Sequence, residues 1–276
     1  MSVPAFQTEK ISQRITRIFA FSSELMYLVE GKERAALLDT GSGIGFVRPL
    51  VEQLTDKPVV VLLTHGHVDH AMGASEFPPE CVYVNQADDY IYTPHSTHAF
   101  REACLFEMGP AADAVVPEED FTPVMPITAF NDLREGDRFD LGGISVEVYA
   151  CPGHTKGSMV MLIPEERMLL LGDACNSNTF LFQDYSLTVE EYRESLLHLM
   201  HLVDGRFDTI LSSHGDGLLD IRVMEENLVL CDRLLEGTAD RVPMEFMGDQ
   251  GFHASRTAAP RHGNIVYHPD RIRRPV

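Results

Sequence analysis

Apolar residues fall in short runs bounded by turn signals, and most runs have the length of a strand. Residues 24–30 and 34–39 flank the turn Gly31-Lys32 and read as a hairpin that stops at Thr40-Gly41-Ser42-Gly43. An amphipathic helix is expected over 44–54, followed by the unbroken apolar stretch 58–63, a buried strand. Further strands are expected at 82–84, 144–151, 158–163 and 168–171, the last two joined through Pro164-Glu165-Glu166-Arg167. Thr188-Val189-Glu190-Glu191 is a capping box that opens a helix running to 203. Its apolar face carries Val189, Tyr192, Leu196, Leu199, Met200 and Val203. A strand at 207–212 and a helix at 221–235, closed by Gly237, complete the series. Two runs of strands, each followed by helices, predict an α/β (α+β) chain with helices packed outside a pair of sheets.

Two stretches stand apart from that rhythm. Residues 88–130 hold one expected helix, 97–108, in Pro-rich and acidic surroundings, and read as an insertion placed like a lid. The extension 238–276 carries a short expected strand at 264–267 and ends in Arg271, Arg273 and Arg274, too few for a binding patch and read as a solvated terminus. The division is therefore one domain over 1–237, with the extension packing on that same domain.

Composition narrows the classes. Of 276 residues 44% are apolar, yet no apolar run is long enough to span a bilayer, so no membrane association is expected. The first residues show neither a basic nor an apolar leader segment, which points to a cytoplasmic chain. Five widely spaced cysteines without a C-x-x-C pair predict reduced thiols. The 42 acidic against 22 basic residues give a net charge of -20, a field that repels nucleic acid and leaves a small molecule as the expected partner; a homodimer is compatible with it.

The chemistry begins behind the buried strand. In Thr64-His65-Gly66-His67-Val68-Asp69-His70, four metal-ligand types fall within six residues at a strand end. Imidazole and carboxylate donors suit zinc, iron or manganese. One loop cannot complete the coordination, so other ligands must come from elsewhere. Three further strand ends present them beside small residues: His154 in Cys151-Pro152-Gly153-His154-Thr155, Asp173 in Gly172-Asp173-Ala174, and His214 in Ser213-His214-Gly215.

In order and spacing these motifs resemble the metallo-β-lactamase superfamily, over roughly residues 20 to 220. The resemblance implies a four-layer αββα sandwich with a dinuclear site at the edge of the two sheets. It implies that His65, His67 and His154 hold one divalent ion, that Asp69, His70 and His214 hold the other, and that Asp173 bridges them. Zinc is the first expectation for both ions, with iron or manganese as substitutes. Asp39 matches the superfamily's first motif, where a carboxylate supports a ligand from behind. The implied reaction is hydrolysis by a hydroxide shared between two cations, with Asp69 and Asp173 as the catalytic carboxylates. Antibiotic-hydrolysing members are exported and lack the bridging aspartate, which turns the reading toward the groups resembling hydroxyacylglutathione hydrolase and the acyl-homoserine lactonases. Asn176 stands where lactonases carry a tyrosine. The expected substrate is an ester, thioester, lactone or amide. The alternatives are a phosphodiesterase on a small or lipid-like ester, a mononuclear-iron enzyme resembling persulfide dioxygenases through His65, His154 and Asp173, and a metal-binding protein without turnover.

Several other residues sit near these motifs. Lys156 could hold a substrate anion at the rim, and Asn176, Asn178, Phe180 and Tyr185 belong to a loop expected to border the cleft. Cys151 and Cys175 read as buried packing thiols. His95 and His98 in the insertion could reach the site as a lid but read first as solvated, and His198 and His201 on one helix face read as surface residues.

Overall fold

The computed structural model describes residues 5–107, 116–257 and 259–275. A first sheet of seven strands runs in sequence order: β1 (Gln7–Lys10), β2 (Ile15–Phe19), β3 (Leu25–Glu30), β4 (Ala35–Leu38), β5 (Val59–Leu62), β6 (Val82–Val84) and β7 (Asn131–Asp132). A second sheet of six is built from β8 (Arg138–Asp140), β9 (Ser145–Ala150), β10 (Met159–Ile163), β11 (Met168–Leu170), β13 (Thr209–Leu211) and β14 (Leu218–Leu219), with β14 and β8 at its edges.

Alternation along the strands explains how the layers stack. In β3, Leu25, Tyr27 and Val29 meet Met159, Met161 and Ile163 of β10 between the sheets, whereas Met26 and Leu28 face outward. The outward face of the first sheet is covered by α1 (Arg48–Leu54), α2 (Val68–Ala71), α3 (Asp89–His95) and α4 (His98–Glu107), through residues such as Val51, Ala71, Tyr92 and Cys104. Val160 and Leu162 of β10 face the other way, onto α5 (Val189–Val203) and α6 (Val223–Glu236), where Tyr192, Leu196, Leu199, Leu230 and Leu234 are buried. The result is the expected αββα sandwich. The capping box is present, with Thr188 accepting from the Glu191 amide and Glu191 accepting from that of Thr188, and Gly237 ends α6 in the left-handed conformation.

The structure departs from the sequence expectations in three places. The helix expected from 44 begins only at Arg48, because Ile44 bridges to Phe121 and Gly45 and Phe46 take positive φ. Residues 88–107 form two helices rather than one; the expected end of the helix, Met108, lies outside the described residues. A third sheet appears: β12 (Thr179–Leu181) pairs with β17 (Ile265–Tyr267), which pairs with the hairpin β15 (Val242–Phe246) and β16 (Asp249–His253). The arginine-bearing terminus, with Arg273 and Arg274 exposed as expected, is also tied to the domain: Arg271 donates to the Ser186 carbonyl, Arg273 to that of Leu235, and Arg274 pairs with Glu194.

No helix among the described residues is long and apolar enough to cross a membrane. Cys81, Cys151, Cys175 and Cys231 form no disulfide; burial pushes the Cys175 thiol up to about 12, so it packs rather than reacts.

Candidate metal centre

Strand direction gathers the site. β4 and β5 are parallel, and β9, β11 and β13 share one direction because β10 runs antiparallel to both β9 and β11. Their C-terminal ends therefore open on one edge of the sandwich. There Asp39 follows β4, His65 to His70 follow β5, His154 follows β9, Asp173 follows β11 and His214 follows β13. The two sheets meet closely at this edge. The Met159 amide donates to the Thr64 carbonyl at 2.7 Å, and a Cβ on Gly172, at φ 54°, would lie 2.9 Å from that of Thr64.

The ligand types fall into two adjoining groups, His65, His67 and His154 in one and Asp69, His70, Asp173 and His214 in the other. In the first, Nδ1 of His67 lies 2.9 Å from Nε2 of His65 and 2.8 Å from Nε2 of His154. The Phe180 carbonyl can only accept, so His154 donates to it from Nδ1 at 3.0 Å and presents a bare Nε2. Thr64 gives its hydroxyl proton to Asp39 and so accepts from Nδ1 of His65 at 3.1 Å, which bares that Nε2 too. At most one proton can lie among the three facing nitrogens. Burial drives all three imidazoles below their usual range, and neutral rings whose lone pairs converge suit a cation.

The second group asks for positive charge in another way. Asp69 Oδ2 lies 3.4 Å from His70 Nε2 and 3.6 Å from His214 Nε2. Asp173 Oδ1 lies 3.1 Å from His214 Nε2, while its Oδ2 lies 3.6 Å from His70 Nε2 and 3.7 Å from His154 Nε2. Burial opposes charge on His214, but Asp173 and Asp69 outweigh it and push this imidazole up to about 9. His70 rises for the same reason, burial being overcome by Asp69 and Asp39. Its Nε2 is buried with no hydrogen-bond partner, whereas its Nδ1 donates to Asp39 Oδ2 at 2.8 Å. Asp39 thereby orients the ring with Nε2 toward Asp69 and Asp173, where an ion could take the place of the Nε2 proton. A donor set of imidazoles and carboxylates, with a buried nitrogen left over, fits divalent cations.

Residues from the neighbouring loops complete the cleft. Asn176 donates to Asp173 Oδ1 at 3.1 Å. Asn178, Phe180 and Tyr185 line the same cavity, which measures about 860 Å³ and is also walled by Phe100, Phe246 and Met247. Lys156 does not line it; its Nζ lies 4.4 Å from the Tyr90 ring centroid in an adjacent cavity. His95, for which the sequence favours a solvated place over contact with the site, stacks between His67 at 5.1 Å and Phe100 at 4.0 Å. His98 and His201 are exposed, and His198 pairs with Glu135 on the surface.

Two buried carboxyls went unnoticed in the sequence. Asp88 accepts from the Gly66 amide at 2.8 Å, the Gly157 amide at 2.6 Å and the Thr155 hydroxyl at 2.9 Å, tying the loop of His65 and His67 to that of His154. It follows β6 as the other site residues follow their strands, and that position was the available signal. Glu24 accepts from the Ser42 amide at 2.8 Å; burial and then Asp69 raise its carboxyl. Nothing in its sequence neighbourhood marked it.

Residues 21–214 match the family described as the metallo-beta-lactamase superfamily, and the chain belongs to it. An uncharacterized protein of Mycobacterium bovis is 33% identical over 133 residues, 47% of this chain and 54% of that one, so the chain spans about half the length of such relatives. A hydroxyacylglutathione hydrolase of Haemophilus influenzae is 26% identical over 73% of this chain and 89% of its own. An acyl-coenzyme A thioesterase of Gallus gallus is 26% identical over 68% and 71%. Among solved structures, a metallo-beta-lactamase from Pontibacter korlensis shares the fold, with a TM-score of 0.57 at 18% identity over 82% of this chain and 98% of that one.

Proposed function

We propose that the chain is a metal-dependent hydrolase of small thioesters. The observation that carries this reading is the position of Asp173, whose two carboxylate oxygens reach nitrogens of both ligand groups. His65, His67 and His154 would hold one divalent ion and Asp69, His70 and His214 the other, zinc foremost. Two ions so held supply hydroxide at neutral pH and polarise the carbonyl under attack.

The chain's own groups do the rest. Asp69, ionised because His70 and His214 outweigh the effect of burial, can accept at Oδ2 the proton of the attacking water. Asn176 holds Asp173 in place. Tyr185 walls the cavity, and its hydroxyl, which donates to Gln183 Oε1, would have to turn from that partner to reach a carbonyl oxygen. Water's oxygen joins the acyl carbon, the carbon–sulfur bond breaks, and a carboxylate and a thiol leave. Phe100, Phe180, Phe246 and Met247 favour an apolar acyl part over a polyanion, and the names of two relatives support thioester chemistry.

The test joins metal analysis to a panel of thioesters, lactones and phosphodiesters. Two equivalents of divalent metal with thioesters turned over in preference to lactones and phosphodiesters is the expected result. A preference for phosphodiesters, or a single iron with oxygen consumption, would overturn the proposal.

A further inference from the structure

Beside the metal-ligand cavity lies a second one of about 670 Å³, lined among others by Tyr90, Lys156, Ser186 and Arg271. His95 and Tyr185 line both cavities and form the partition between them. Tyr90 ties this partition to the loop of His154: its hydroxyl donates to the Tyr185 carbonyl and accepts from the Lys156 amide, both at 3.2 Å.

The second cavity differs from the first in charge. In a chain of net charge -20 a cation is normally matched by a carboxylate, and Arg273 and Arg274 are so paired. Lys156 and Arg271 are not; among the described residues neither forms an ion pair. Arg271 is anchored by its donation to the Ser186 carbonyl, and its Nε is buried without any acceptor. Three carboxylates also border the cavity. Glu191 is engaged in the helix cap at Thr188, the Asp270 side chain is 90% exposed, and Asp184 is exposed too. An oxyanion entering here would meet an ammonium that rests on the Tyr90 ring and a guanidinium held by a backbone carbonyl, neither paired with a carboxylate.

Building on the thioester reading, we propose that the second cavity binds an anionic group on the thiol half of the substrate through Lys156 and Arg271, while the acyl half occupies the apolar cavity. The scissile carbon–sulfur bond then lies beside the His95–Tyr185 partition, within reach of the metal ligands; Tyr185 and His67 have ring centroids 5.3 Å apart. Phosphate and carboxylate share the chemistry required, and the experiment separates them.

The test measures binding first, so that it does not depend on turnover. S-methyl coenzyme A carries phosphates, S-methylglutathione carries carboxylates, and S-methyl-N-acetylcysteamine carries neither. Calorimetric titration of the wild-type protein should show one of the anionic probes binding at least tenfold more tightly than the neutral one. Lys156→Glu should remove most of that advantage and Lys156→Arg restore it. The same acyl group on the three thiols should then show the anionic-to-neutral ratio of kcat/KM falling about tenfold in Lys156→Glu, chiefly through KM, as expected for one lost charge-assisted contact. Equal affinity for all three probes, or an unchanged preference in Lys156→Glu, overturns the proposal. Binding as expected without turnover of any thioester would instead count against the hydrolase reading and leave the anion subsite standing.

Discussion

Asp88 holds the Gly157 amide at 2.6 Å with one carboxylate oxygen and, with the other, the Gly66 amide of a different ligand loop. Neither glycine tolerates a side chain there: a Cβ on Gly157 would lie 2.7 Å from the Asp88 carboxyl carbon, and one on Gly66 would lie 2.8 Å from its Cβ. Burial raises the carboxyl to about 6 despite its donors. The folded chain therefore binds this proton more tightly than the unfolded one, so stability falls as pH rises from about 4 through 6. Above that window the ionised group costs about 3 kcal/mol. Asp88→Asn should flatten that part of the pH–Tm curve in the metal-free protein. It should also weaken metal binding by on the order of tenfold, because its amide faces one of two backbone N–H donors. An unchanged pH slope would refute the assignment.

Asp39 accepts from His70 Nδ1, the Thr64 amide and the Thr64 hydroxyl at once. Asp39→Asn replaces one acceptor with a donor and releases the orientation of the His70 ring. The affinity for the proposed ion at Asp69, His70 and His214 should drop by roughly 10–100-fold, and that of the group made by His65, His67 and His154, which Asp39 reaches only through Thr64, should drop less. Competition with a chromogenic chelator reads this directly, and two equal affinities in the variant would contradict it.

Asp173→Ala removes the carboxylate that touches both ligand groups. Bound metal is expected to fall from two equivalents toward one and turnover by on the order of 10²-fold. Full occupancy with full turnover would end the bridging assignment. His154→Ala should likewise cost an ion or most of the activity.

Gly153, one residue before His154, carries no Cβ for a packing reason. An added Cβ would lie 2.3 Å from Tyr192 Cδ2, and Tyr192 is fully buried on α5. Gly153→Ala should cost about 1–3 kcal/mol, lowering Tm by roughly 5 °C in a scanning calorimeter. A Tm equal to wild type would show that the helix yields more readily than its packing implies.

What was legible in the sequence follows from the range of the forces involved. The central strands alternate between two apolar environments, and the capping box at Thr188 is a local hydrogen-bond pattern, so both could be read from neighbouring residues. The candidate ligand positions were legible because they cluster behind strand ends beside small residues. The third sheet was not. β12 pairs with β17 across more than eighty residues, and no local pattern marks such a partnership. Asp88 was hidden for a similar reason, since its three donors come from two distant loops. The stacking of His95 on His67 depends on α3 and α4 being separate helices, which one expected helix over 97–108 concealed.

That third sheet shapes the proposed acyl cavity. The end of β15 and the turn after it bring Phe246 and Met247 to the wall, and the Phe246 ring packs edge-on against Phe180 with centroids 5.3 Å apart. Phe180 in turn accepts from His154 through its carbonyl, so the apolar wall and a ligand share one residue. If the acyl part lies against this wall, Phe246→Ala should raise KM for long or aromatic acyl thioesters about tenfold, or ~1.4 kcal/mol, the scale of partly exposing one aromatic contact. The acetyl thioester, too short to reach the ring, should change far less, and the metal content should stay the same because the Phe180 backbone is untouched. A uniform fall in kcat across all chain lengths would point instead to displacement of Phe180 and His154, and would place the acyl group elsewhere.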